Sequence, residues 1–123
     1  MRVRREQVAD DGLVVVRGGR LDPDVIRFDA VEAHRRFGQY GVSVFAAGDQ
    51  DEFDALSRDR LSRFGILTVM RAGTIRAAGL ELRPTFRSPH YTIMLPDLDA
   101  DLSRLLACEN EIRVNPFFRA PEE

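Results

Sequence analysis

Four residues could do chemistry by type and position: Arg17, Ser43, His90 and Glu111. Arg17 ends the hydrophobic run 13–16 and precedes Gly18 and Gly19. A guanidinium at a strand end, beside backbone that a ligand can approach closely, suits an anionic group. The same arginine could instead lay its stem along the sheet and pair with an acid. Ser43 stands in Tyr40-Gly41-Val42-Ser43-Val44-Phe45, where alternation puts it on one face with Phe45 and puts Val42 and Val44 on the other. A serine among aromatics can hydrogen-bond a sugar or a nucleobase, or be a small polar strand residue and no more. His90 opens a strand after Pro89, with Thr92 on its side and Arg83 and Arg87 ahead of it. A proton acceptor near cations is what phosphodiester cleavage requires; a packed, hydrogen-bonded histidine is the competing reading. Glu109 and Glu111, two apart in an extended segment, share a face. Their plain reading is a solvated helix end.

The remaining reactive types read as structural. His34 falls in the middle of a helix. A nucleophilic cysteine needs a nearby base; His90 is the plausible partner for Cys108, and nothing in the sequence joins them, so Cys108 reads as a small buried residue. A lone cysteine excludes an internal disulfide or a cysteine-based zinc site. His34 and His90 lack metal-ligand spacing, and no metal is expected. Phosphate-loop, GxGxxG, HExxH and GxSxG signatures are absent.

Every one of the 18 basic residues in this 123-residue chain is arginine; 20 acids bring the net charge to −2. Whole-molecule attraction to nucleic acid is therefore weak, although a local arginine patch can still hold phosphate. The absence of lysine points to a GC-rich, bacterial-like genome rather than to function. No apolar run approaches the ~20 residues of a membrane span. No apolar signal core follows the start, which makes the cytoplasm the expected location.

Strand-like and helix-like segments alternate along the chain and carry these side chains. Residues 1–11 read as a loose arm, 12–119 as one domain and 120–123 as a frayed tail. Strands are expected at 13–16, 41–47, 66–70 and 90–95. Asp22 and Pro23 start a helix that Gly38 ends, with Ile26, Ala30, Ala33 and Phe37 facing inward. Asp49 and Glu52, at capping-box spacing, start a second helix that carries Phe53, Leu56, Leu61 and Phe64 inward and closes at Gly65. A short hairpin or broken strand is expected between Gly73 and Leu82. The loop 85–88 lies between Pro84 and Pro89. A last helix starts near Asp97 and buries Leu98, Leu102, Leu105 and Leu106, and the tail 112–118 forms a short strand or a strap. The fold class is α+β, with a mixed or mostly antiparallel sheet packed by two or three helices.

Val16-Arg17-Gly18, Val42-Ser43-Val44 and Glu109-Asn110-Glu111 before Pro116 occur in the order of the ADP-ribosyltransferase motifs, and the chain resembles that family at these positions. The resemblance implies an NAD-consuming enzyme, as an effector or the toxin of a toxin–antitoxin pair. Arg17 and Gly18 would hold the NAD phosphates, Ser43 would brace the nicotinamide-side ribose, and Glu111 would stabilise the oxocarbenium-like centre. The chain has Ser-Val-Phe where the family has Ser-Thr-Ser. Two other functions stand beside this one. One is an RNA-cleaving enzyme using His90 with Arg83, Arg87 and Tyr91. The other is a non-catalytic module that binds a protein, antitoxin-like or a second copy, through exposed Phe117 and Phe118. Convergence of Arg17, Ser43, His90 and Glu111 in one cleft would favour an enzyme, and scatter a binding module.

Overall fold

The apolar run that opens the domain forms β1 (Leu13–Gly18), which extends through Arg17 to Gly18; the computed structural model of the chain describes residues 7–120. Helix α1 (Pro23–Phe37) starts and stops on local signals: the Asp22 carboxylate accepts the Asp24 N–H, Pro23 stands at the first turn, and Gly38 turns left-handed with φ of 81°. After β2 (Gly41–Ala47), helix α2 (Gln50–Asp59) is capped by Asp49, whose carboxylate accepts the Glu52 N–H at 2.8 Å. Glu52 reaches back to the Gly48 N–H, one residue before the cap. The helix ends at Asp59 rather than at Gly65, and Leu61 and Phe64 turn inward from irregular chain.

β3 (Ile66–Arg71) runs directly into α3 (Ala72–Ala77), a helix where a hairpin or broken strand was expected. Ala72 and Ile75, three apart, bury one helical face. No side chain caps α3. Instead the Ala72 and Gly73 N–H groups donate to the carbonyls of Gly12 and Asp10 at 3.0 and 2.8 Å. The partners of these helix-end donors are remote in sequence, so no local signal announces the helix. They also anchor the segment expected to be a loose arm: Val8 is buried, and Asp10 pairs with Arg76 at 2.7 Å. Residues 1–6 of that arm, and 121–123 of the expected tail, lie outside the described residues.

β4 (Glu81–Pro84) and β5 (His90–Met94) form a hairpin through residues 85–89. Helix α4 (Leu98–Leu106) and β6 (Glu111–Val114) complete the domain. The start of α4 is held by Asp101, which accepts the Asp97 N–H at 2.9 Å, and not by the Asp97 side chain.

The sheet has the order β4-β5-β2-β1-β3-β6, and every pairing is antiparallel. The fold is thus α+β, with four helices among the described residues. Its two faces are covered unequally. Residues of α1, α3 and α4 (Ile26, Ala30, Ile75, Leu102, Leu105) bury Val14, Val16, Val42, Val44 and Ile93 on one face. On the other, Phe53 and Leu56 of α2, with Leu61, cover Leu13, Val15, Leu67 and Val69. On that second face α2 covers only the Ala47 end of β2; the rest of β2, with β5 and β4, carries no helix among the described residues, and the last turns of α1 reach its rim.

Candidate functional site

Strand alternation aims Ser43 and Phe45 of β2, His90 and Thr92 of β5, and Arg83 of β4 at the uncovered face, because their neighbours Val44, Tyr91, Ile93 and Leu82 are in the core. The register sets Ser43 opposite Thr92, Thr92 opposite Arg83, and Phe45 opposite His90. Thr85, in the hairpin turn, ties the floor together. Its hydroxyl lies 2.7 Å from His90 Nδ1 and 2.8 Å from the Thr92 hydroxyl. The result is a hollow of about 250 Å³ floored by Gly41, Ser43, Thr92 and Met94 and walled by Phe37 and Phe86.

The aromatic rings form a chain across this surface. Phe86 meets Phe37 edge-on at 6.1 Å and His90 at 5.0 Å; His90 meets Phe45 at 5.8 Å. Phe37 was expected to face inward but is 65% exposed, and Phe86 is 76% exposed. Helix α1 buries Ile26 and Ala30, and by Phe37 its last turn has reached the rim of the sheet. Phe86 has φ of 52°, the left-handed region that a bulky side chain rarely occupies.

Arg83 contributes little charge to the hollow. Its guanidinium forms two 2.9 Å bonds to Glu81 and one of 3.2 Å to Gln39. The bonded guanidinium in turn holds the Glu81 carboxyl below its ordinary range. In this arrangement the guanidinium fork is turned to the Glu81 carboxylate, which offsets its charge. Arg87 is exposed in the same turn, and Tyr91 points into the core.

Ser43 and His90 are therefore brought to adjacent strands of one face. Glu111 is elsewhere. It lies on β6, with β1 and β3 between it and the strand of Ser43, and its carboxylate accepts the Arg113 Nε–H at 2.7 Å. It lines a different hollow, of about 220 Å³, with Leu13, Arg71, Thr74 and Glu109. Arg17 lies on β1 opposite Thr68, beside a bulge, where the β1–β2 pairing has already ended at Val15 and Phe45. Its Nε is buried and has no hydrogen-bond acceptor among the described residues. Gly18 is roofed by Phe64: an added Cβ would sit 2.4 Å from that ring.

The other candidates are accounted for by packing. His34 stacks on Tyr40 at 4.3 Å. Phe117 is half-buried beneath Arg58, whereas Phe118 is exposed and lies over Gly65. Cys108 is buried in the core on the opposite face from His90, with its thiol 3.3 Å from the Arg104 carbonyl. Burial pushes the thiol pKa up, so the reactive thiolate is scarce at neutral pH. Alkylation by iodoacetamide should be markedly slower in the folded protein than in the urea-unfolded chain; equal rates would show the thiol to be accessible.

Thr85, Phe37 and Phe86 are the residues of this site that sequence reasoning missed. The one signal for the turn was its position between Pro84 and Pro89. Among the described residues, no group of three or more His, Cys, Asp or Glu side chains is gathered as metal ligands would be, and no helix is long and apolar enough to cross a membrane. Comparison with family models, curated proteins and solved structures gives no match.

Proposed function

We propose that this chain is a non-catalytic binding module whose uncovered sheet face takes an apolar or aromatic side chain of a protein partner. The observation that carries this reading is Phe86. A left-handed conformation at a bulky residue costs of order 1–3 kcal/mol. Here that conformation presents a ring that stays 76% exposed. Core packing gains little from such a ring; a partner side chain laid between Phe86 and Phe37 would gain from both. The polar groups of the hollow support the same ligand class. Of those lining it, the Thr85 and Thr92 hydroxyls are bonded to each other and Arg83 is paired with Glu81 and Gln39.

Asparagine tolerates the left-handed region. Phe86→Asn should therefore leave stability unchanged or raise it by up to about 1 kcal/mol. Partner binding should fall at least roughly tenfold, the loss expected of an aromatic anchor. The measurement pairs urea unfolding with recovery of the partner from host cells by wild type and variant. Equal recovery of the same partner by a stable variant would sink the reading.

A second reading, the NAD-consuming transferase, draws support from Arg17, whose buried Nε–H could be satisfied by a ligand oxygen. Against it stands the separation of Glu111 from Ser43 by two intervening strands. NAD at 100 times its dissociation constant would stabilise the fold by about 2.7 kcal/mol. A thermal shift of that kind, lost in Arg17→Ala, would displace the binding-module reading in favour of the enzyme.

A further inference from the structure

The sheet has two edges, and they differ in what they offer. The Thr85 N–H bonds to the His90 carbonyl, so alternate residues of β4 turn their backbone groups towards β5 and leave those of Leu82 and Pro84 facing outward. Proline has no N–H to donate, which blunts that edge. On the other side, Gly19 donates to the Ile66 carbonyl and Asn115 to that of Gly65. Ile66 and Thr68 thus face β1, while Gly65, Leu67 and Val69 face β6. Arg113 and Glu111 are paired with Leu67 and Val69, so the outward backbone groups of β6 belong to Ile112 and Val114. Neither residue makes a backbone bond outside the sheet among the described residues. Their side chains are β-branched and 40% and 77% exposed, an unusual state for a strand with an open edge.

We infer that β6 is where two copies of this chain pair, antiparallel, about a twofold axis at Ile112. Residues opposite one another in an antiparallel pair must lie on the same face, so the axis must pass through a residue and not between two. Centred on Ile112, the pairing exchanges both backbone bonds between the two Ile112 residues and joins Val114 to Asn110 of the second copy. It also sets Glu111 of each chain opposite Arg113 of the other, in the closely spaced non-hydrogen-bonded position. Centred on Arg113, the pairing would set two arginines against each other, which is unfavourable. Charge thus favours the Ile112 centre over the Arg113 one, and a Val114 centre would set Ile112 against Pro116, which has no N–H to donate; with the Ile112 centre the sheets of the two copies become continuous. The Ile112 side chains meet on the face where Val114 and Ile66 already form an apolar margin.

The test is the mass of the full chain in solution across a wide concentration range, by sedimentation or light scattering. A dimer is expected. Arg113→Glu should raise its dissociation constant by roughly tenfold or more, because two like-charge pairs replace two opposite ones. The exchanged double variant E111R/R113E should restore dimerisation, since it regenerates both cross-pairs. Ile112→Pro removes the outward N–H without touching the bonds to β3 and should also give a monomer with an unchanged circular dichroism spectrum. A monomer at every concentration, or a dimer indifferent to both Arg113→Glu and Ile112→Pro, would overturn the inference.

Discussion

Replacing Asn115 by alanine is expected to destabilise the protein by about 2–4 kcal/mol, lowering the melting temperature by roughly 10 °C. Asn115 is 3% exposed and its side chain is fully engaged. The amide donates to the carbonyls of Ser57, Leu61 and Phe64 at 3.2, 3.0 and 3.1 Å, and its oxygen accepts the Phe117 N–H at 2.9 Å. The Ser57 carbonyl belongs to the last turn of α2, where helix carbonyls have no partner within the helix. One side chain thus satisfies the end of α2, the irregular segment behind it and the strap that follows β6. Alanine would leave buried acceptors unpaired, and their desolvation is the larger part of the expected loss. Asn115→Asp should be at least as severe, since a carboxylate would face carbonyl oxygens. Thermal unfolding measures both, and an unchanged midpoint in Asn115→Ala would show that water replaces the amide without loss.

Gly18→Ala is expected to cost about 1–3 kcal/mol, the usual range for overpacking. The new methyl would stand 2.4 Å from the Phe64 ring, and Phe64 packs against the Leu13, Val15, Leu67 and Val69 cluster, so moving the ring disturbs α2's side of the core. A double variant gives the decisive comparison. With Phe64→Ala the clash disappears, so Gly18→Ala should be nearly neutral in that background, and the two single effects should not add. Equal costs of Gly18→Ala in the two backgrounds would show that contact with the Phe64 ring is not what excludes a side chain there. Unfolding free energies of the four proteins decide it.

Features that depend on short stretches of chain were legible from residue order alone. Asp22, Pro23 and Gly38 bound α1, and Asp49 caps α2, because helix ends are satisfied by groups within a few residues. Alternation assigned Val42 and Val44 to the core and Ser43 to the other face, because a strand's side chains have a period of two. Those local rules were enough for the α+β class and for most element positions. The remainder rests on contacts between distant parts of the chain. Helix α3 depends on acceptors sixty residues earlier, at Asp10 and Gly12. Asn115 is an ordinary polar residue until chain closure sets it among three carbonyls. The exposure of Phe37 and Phe86 depends on where no helix was laid, which a residue's own neighbours do not encode. Strand order separated Glu111 from Ser43 and left β6 at the sheet's edge among the described residues, because which strands become neighbours is set by packing of the whole sheet and not by any one segment.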